Sequence, residues 1–307
     1  MNVPQIANPK KNSTKVTHTP LPRGKHGDED VANHFSLRII EAEMNKRNPR
    51  RSKNREKLSR RGVRPPKSPN ETIWLYGIHA VTAALANQQR RVDRLVVTHA
   101  AWDRCEPKPN GAAPEFVDRA SLDALLPPGA VHQGMALLTL ALDPVTIEEF
   151  CVDPPESGLV IILDQVTDPQ NTGAIMRSAA AFGANAMIVQ ERNAPPVTGA
   201  LAKVASGAVE KLPYIRVKNL ARALEILKEA NFWCVGLDGN AESSLSDVRL
   251  DGRVAVIMGA EGAGLRRLTA ARCDTCAHLQ TTTDFGTLNV SAAAAITLYE
   301  VARQRTS

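Results

Sequence analysis

"LVIILDQVTDPQNTGAIMRSAAAFGANAMIVQ" (residues 159–190) joins an unbroken apolar run, a polar turn, a segment of small residues and a second apolar run. A strand with one wet face alternates apolar and polar residues, whereas a run apolar throughout belongs to a strand covered on both faces, as in a parallel sheet. Between the two runs, Asp168 is a good helix N-cap. Pro169 suits the first helical position, where its missing N–H has no intrahelical partner to lose. The stretch therefore predicts a strand, a crossover helix and a parallel strand. Capping does not require Asn171 or Arg177. Six residues turn about 600° along a helix, so both side chains reach one site only if Asn171 belongs to the turn and Arg177 to the second helical turn.

Toward the C-terminus the pattern repeats in "LPYIRV" (212–217), "FWCVGLD" (232–238) and "RVAVIMG" (253–259), each separated by helical spacing. Because connections avoid threading, these runs predict an ordinary doubly wound parallel sheet, with ligands bound at the carboxyl ends of its strands. Two further loops fall at such ends or lead into a helix. In "VIMGAEGAGLRR" (256–267) the glycines are spaced G-x-x-G-x-G rather than G-x-G-x-x-G, and Glu261 would repel a phosphate held by backbone amides. A ligand with an adenosine and a positive centre tolerates that carboxylate, and S-adenosylmethionine has both. In "FGTLNVSAAAAITLYEVARQR" (285–305), Thr287, Asn289 and Ser291 precede or open a helix with four consecutive alanines. Each of these loops alone reads as capping or close packing. Their coincidence on one sheet points to a site.

Toward the N-terminus, "DPVTIEEFCVDPPESG" (143–158) reads as a linker, and residues 71–142 as a small α/β unit running from "TIWLYGIHAVTAALA" to "GAVHQGMALLTLAL". His132 has no partner acid, base or metal ligand nearby in sequence, which suggests a structural or RNA-backbone role. Residues 1–70 hold 17 Lys/Arg against 6 Asp/Glu, so they carry +11 of a chain whose total is +6, and residues 71–307 are net −5. Few of the arm's residues could form a core, so it is expected to be disordered. It is either a phosphate-neutralising arm or a passive extension. No apolar run resembles a signal sequence or a membrane span, and five cysteines make no disulfide framework, so a cytoplasmic protein is expected. The single C-x-x-C, Cys273 and Cys276, has no second pair or flanking His and reads as coincidence; no metal is expected.

"YGIHAV" (76–81), "GAVHQG" (129–134), "VTDPQNTGAIMRSA" (166–179), "VIMGAEGAGLRRLT" (256–269) and "TLNVSAAAAITLYEVARQR" (287–305) together resemble the SpoU (TrmH) family of RNA ribose 2′-O-methyltransferases, within the SPOUT superfamily, over roughly residues 72–305. The two-part arrangement is most similar to the bacterial members that methylate a guanosine of 23S rRNA. The resemblance implies a methyltransferase domain over 159–307 whose parallel sheet is tied in a trefoil knot, a small RNA-binding domain before it, and a homodimer packed through knot-region helices. It implies that Gly259, Leu279 and Leu288 hold S-adenosylmethionine, and that Asn171, Arg177, Glu261, Thr287 and Asn289 are the catalytic and RNA-positioning residues. Arg177 is then either a transient base or a clamp on an RNA phosphate. The implied partner is RNA, as 23S rRNA or a large-subunit assembly intermediate. Two departures stand out: Leu279, Gln280 and Thr281 replace the family's usual Ile-Pro-Met, and Thr287 replaces a common Ser. Two other readings remain open, a tRNA 2′-O-methyltransferase of the same family and a non-catalytic RNA or ribosome binder that kept the fold.

If the arm contacts phosphates, a chain starting at Asn70 should bind RNA more weakly and with a shallower dependence of log affinity on log salt, because fewer counterions are released. Cofactor affinity and the methylated position should not change. Equal slopes for the two chains would make the arm a passive extension.

Overall fold

The computed structural model describes residues 72–105, 112–282 and 288–306. The expected disordered arm, residues 1–70, and Thr287 lie outside the described residues. Strands β1 (Thr72–Tyr76), β2 (Val92–Val97), β3 (Pro114–Phe116) and β4 (Met135–Leu140) form a sheet in the order β1-β4-β2-β3. Strand β4 is antiparallel to β1 and β2, and β2 is parallel to β3, so β1, β2 and β3 all end at one edge. From that edge start three helices, α1 (Ile78–Ala86), α2 (His99–Asp103) and α3 (Arg119–Leu125). Thr98 and Asp118 cap the last two by accepting from the amides of Ala101 and Ser121. His132 is buried in the turn before β4, with Nε2 3.1 Å from Asp123 Oδ1 and Nδ1 accepting from the Gly134 amide at 3.0 Å.

Within 143–158 lies one short helix, α4 (Ile147–Phe150), where Thr146 and Glu149 cap each other reciprocally. Ile147 is buried against the large sheet and the Phe150 ring lies 6.1 Å from that of Phe232. This connection is therefore docked at its short helix, through Ile147 and Phe150, by apolar contacts that its Pro-rich and acidic composition does not advertise.

Strands β5 (Leu159–Leu163), β6 (Ala186–Gln190), β7 (Tyr214–Val217), β8 (Trp233–Leu237), β9 (Ser243–Ser244), β10 (Val254–Met258) and β11 (Thr275–His278) form an all-parallel sheet. Every residue of β5 and β10 is buried. Strand periodicity splits their side chains between two cores. Leu159, Ile161 and Leu163 pack with α5 (Pro169–Ala181), α6 (Gly199–Ala205) and α9 (Val290–Thr306). Val160 and Ile162 pack with α7 (Leu220–Glu229). Each such aliphatic side chain contributes about 1.5–3 kcal/mol of burial.

The strand order is β7-β6-β5-β10-β8-β11-β9. Successive winding, each new strand added at the outer edge, would place β8 beside β5. Instead β10, made after both, sits between them, and α9 returns to pack in the same core as α5. That departure from the doubly wound order accords with the knotted family fold. The short helix α8 (Arg267–Ala270) leads into β11.

Two buried contacts join the small sheet to the large one. Arg90 Nε and Nη2 donate to Glu210 Oε2 and Oε1 at 2.9 and 2.8 Å, and Nη1 donates to the Leu140 carbonyl at 2.8 Å. Asn87 Nδ2 also donates to Glu210, at 2.8 Å. Nearby, Gly199 at the start of α6 lies so close to the Trp74 carbonyl and the Tyr76 ring that a Cβ would collide with both. The side chains of Arg90 and Glu210 are 1% and 5% exposed, so removing one strands a buried charge. Glu210→Ala should destabilise the chain by about 3–5 kcal/mol, whereas replacing both partners with Met and Leu should recover most of that. Chemical denaturation of the two variants checks this, and a cost below about 1 kcal/mol for Glu210→Ala would contradict it.

Candidate active site

Three loops converge where β5, β10 and the chain before α9 meet. At the first, Asp168 Oδ1 and Oδ2 accept from the amides of Gln170 and Asn171 at 3.1 and 3.2 Å, and Pro169 takes the first helical position. Asn171 is thus in the first turn of α5, not in the turn before it. The second loop, residues 259–265, folds back on itself, with the Gly264 amide donating to the Ala260 carbonyl at 2.9 Å. A Cβ on Gly259 would sit 2.2 Å from the Gly264 carbonyl carbon, and Gly264 has φ of 64°, so neither position accepts a side chain without rearrangement. Asp164, fully buried just beyond β5, holds the far end of this loop by accepting from Arg266 N at 3.1 Å and Arg266 Nε at 2.6 Å.

Asn289 stands before α9, where its Oδ1 accepts from the Ser291 amide at 2.9 Å and the Ser291 hydroxyl at 2.5 Å. That is ordinary capping. Its Nδ2, however, donates to Glu261 Oε1 at 2.7 Å and to Asn171 Oδ1 at 3.1 Å. Glu261 Oε1 also accepts from the Val290 amide at 3.1 Å and, at the limit of hydrogen-bond range, from Asn171 Nδ2 at 3.5 Å. Asn171, Glu261 and Asn289 therefore form one network, with a carboxylate at the positive end of α9.

Beside the network lies a cavity of about 680 Å³, lined by residues 237–240, 258–265, 279, 281, 288–290 and 293. It opens at the carboxyl ends of β8 and β10, the position a parallel sheet favours for ligands, and its size suits a nucleoside-sized molecule. Gly259, Leu279 and Leu288 all line it, as do Glu261 and Asn289. Two of its lining residues are carboxylates, Asp238 and Glu261, and none among the described residues is Lys, Arg or His. Within the first departure, Leu279 and Thr281 line the cavity and Gln280 is exposed. Burial pushes the thiols of Cys234 and Cys273 up to about 12, so neither is a thiolate at neutral pH.

Arg177 is not part of the network. It is exposed on α5, makes no hydrogen bond or ion pair among the described residues, and does not line the cavity. The reason is the helix itself: Asn171 is already helical, so six residues later the side chain leaves at another azimuth. Asp164, Arg266 and Asp238 were not singled out by motif reading. An ionisable residue directly after a fully apolar strand is the signal that marks Asp164 and Asp238.

Fold and site together define an α/β protein with a nucleoside-sized cavity at the carboxyl ends of a parallel sheet, carrying a second, smaller α/β sheet in front. The chain belongs to the SpoU family: residues 158–299 match the SpoU rRNA methylase family, and residues 74–144 match the substrate-binding domain of RNA 2′-O ribose methyltransferases. It is similar to the 23S rRNA (guanosine-2′-O-)-methyltransferase RlmB of Yersinia pestis, 37% identical over 239 residues that cover 75% of this chain and 97% of that one. The RlmB of Pasteurella multocida is 40% identical over 243 residues, covering 75% and 98%. Among solved structures, the SpoU methyltransferase AviRb of Streptomyces viridochromogenes with AdoMet superposes with a TM-score of 0.65 at 21% identity, over 77% of this chain and 91% of that one. An RNA 2′-O ribose methyltransferase gives 0.66 at 23%, over 77% and 90%.

Asn289→Ala removes both the cap and the bridge, and should cost about 1 kcal/mol of stability from the cap alone while lowering turnover. Asn289→Asp keeps the capping oxygen but sets a second carboxylate against Glu261, so it should retain the cap and still lose activity. Thermal melts and turnover measured on both variants test this; wild-type turnover in both would show that the bridge is not needed.

Proposed function

We propose that the chain transfers a methyl group from S-adenosylmethionine to the ribose 2′-hydroxyl of a guanosine in 23S rRNA. The observation that carries this reading is the similarity to RlmB enzymes across 95–98% of their length, which includes both sheets. The same similarity supports rRNA over tRNA as the substrate, and supports a division into a small RNA-binding domain over 71–142, a linker over 143–158 and a methyltransferase domain over 159–307. S-adenosylmethionine, when bound, supplies a methyl group on a cationic sulfonium. The cavity's chemistry fits that molecule, since Asp238 and Glu261 favour a positive centre and would disfavour a pyrophosphate. Backbone groups of Gly259, Leu279 and Leu288 would hold the adenosine, and the Asn171–Glu261–Asn289 network would fix the loops around it.

The 2′-hydroxyl becomes a useful nucleophile only as its proton is withdrawn. A guanidinium stays protonated at neutral pH and is a poor acceptor for that proton. Arg177, exposed and without a hydrogen bond or ion pair among the described residues, suits the other role left open for it, a two-pronged donor to an RNA phosphate that orients the ribose. Thr287, next to Leu288 in sequence, is proposed to orient the same ribose through its hydroxyl. Among the described residues no helix is long and apolar enough to cross a membrane, and a substrate in the ribosome supports a cytoplasmic location. Ile296 and Tyr299, 46% and 55% exposed, lie on one stripe of α9. That apolar stripe supports the proposed homodimer.

Mapping ribose methylation of rRNA and tRNA in cells with and without the chain tests the reading, which predicts the loss of a single 23S guanosine mark. Loss of a tRNA mark would transfer the activity to the other substrate. No lost mark, together with no S-adenosylmethionine binding by the purified chain, would leave the non-catalytic binder. Arg177→Ala should lower methyl transfer more than about tenfold while cofactor affinity stays near wild type, because the proposed contact is with RNA. Arg177→Lys should recover only part, since an ammonium keeps the charge without the fork.

A further inference from the structure

The edge of the small sheet where β1, β2 and β3 end carries an aromatic pair that folding does not explain. His99 opens α2 directly after β2 and Phe116 ends β3. Their rings stack at a centroid separation of 4.3 Å and an interplanar angle of 8°, and Trp102 meets Phe116 edge-on at 6.2 Å. Phe116 is nonetheless 43% exposed, and His99 is exposed as well. A single exposed aromatic needs no explanation. A parallel, stacked pair held out in solvent has the shape of a platform for another ring.

What surrounds the pair makes this edge continuous. A side chain at Gly134 would collide with Thr98 and Ala101, so the turn after His132 lies against the start of α2. In that turn Gln133 takes a positive φ of 56° and its Oε1 accepts from the Ile78 amide, at the N-terminus of α1, and from Lys203 Nζ. Lys203 belongs to α6, in the large-sheet part of the chain. The edge thus runs from Phe116 through His99 and Gln133 to a cation contributed by the other part. Of the carboxylates nearby, Glu115 is held by Arg94 through bonds of 2.6 and 2.7 Å and Asp118 caps α3, while Asp103 is exposed at the far end of α2.

We infer that an unpaired base of the substrate RNA extends the His99–Phe116 stack, with the neighbouring backbone running toward Lys203. This rests on the reading that the chain modifies RNA, and deepens it by naming where the RNA lies on the small sheet. Sequence-tolerant stacking of this kind is the usual way proteins hold unpaired nucleotides, because every base has a π-face. A ligand on this edge would touch both parts of the chain, whose relative placement the Arg90–Glu210 pair fixes.

The test uses the full chain and a deproteinised 23S rRNA transcript, with affinity measured at several salt concentrations. Phe116→Leu keeps apolar bulk but removes the π-face, and should weaken binding about 5- to 100-fold without changing the salt slope, since no phosphate contact is lost. Phe116→Tyr should bind within about twofold of wild type, because the ring is retained. Lys203→Gln should instead lower the slope by about one counterion. S-adenosylmethionine affinity should be unaltered in all three. Unchanged affinity in Phe116→Leu, or a loss that Phe116→Tyr shares, overturns the inference while the RNA reading stands. A loss seen only with ribosomal particles and not with the transcript also overturns it, assigning the stack to a protein partner. If the unaltered chain neither binds nor methylates the transcript or the particles, the parent reading fails and takes the inference with it.

Discussion

A single carboxylate oxygen, Glu261 Oε1, ties together segments that lie 90 and 28 residues away in the chain. It accepts from the Val290 amide and from Asn289, and marginally from Asn171. Hydrogen bonds to a charged group contribute about 1.5–3 kcal/mol each, against about 0.3–1 kcal/mol for a charge merely near a helix end. The directed bonds therefore dominate over the helix dipole in holding α9 to the glycine loop. Oε2 accepts no hydrogen bond among the described residues, so the same side chain keeps an acceptor to spare beside the cavity. A neutral glutamine at 261 would still offer one acceptor, but it would bring two donors to a place already supplied with donors by Asn289 and Val290.

This tie is possible only because of where β10 sits. Were β8 beside β5, the loop ending in Asp238 would stand next to α5 and the glycine loop would be one strand further away, about 5 Å, beyond hydrogen-bond reach of Asn171. With β10 between them, its loop emerges beside the N-terminus of α5 and beside the cavity floor at once. The Asp164–Arg266 pair then fixes the other end of the same loop to the end of β5. Asp164 is fully buried and Arg266 is half exposed, so solvent screens the pair from one side only. Asp164 has its charge compensated by two donors from one residue, which fixes the register of the loop against the end of β5.

Much of this was legible in the chain. Strands β5, β6 and β10 could be read because they are apolar on both faces, and Asp168–Pro169 could be read because capping chemistry is local. Strand β11 was harder: "TCAH" is four residues with one buried side chain, and its pairing to β8 is a property of the sheet, not of the segment. The strand order was not legible at all, since apolar runs record burial but not neighbours. Arg90 and Glu210 were likewise hidden. They are 120 residues apart and each resembles a surface charge until the packing around it is known. At the site, motif resemblance pointed to Asn171, Glu261 and Asn289, but it carried no azimuth, and helix geometry then sends Arg177 away from the three polar residues it accompanies in the motif.

That separation has a consistent electrostatic sense. The cavity is lined by Asp238 and Glu261 with no cationic side chain among the described lining residues, while Arg177 and Lys203 lie outside it. A polyanion approaching the sheet edge meets cations first, and finds the cavity disfavoured by like charge at short range, where screening by salt is least effective. A small cationic ligand experiences the reverse preference. Two ligands of opposite charge can therefore occupy neighbouring positions without competing, although residues 71–307 are net negative. If the 17 basic residues of the first 70 act as a phosphate-neutralising arm, they would add long-range attraction for RNA to that of the exposed cations on the folded part, while the choice of nucleotide rests with short-range contacts, which a diffuse positive charge has no means to supply.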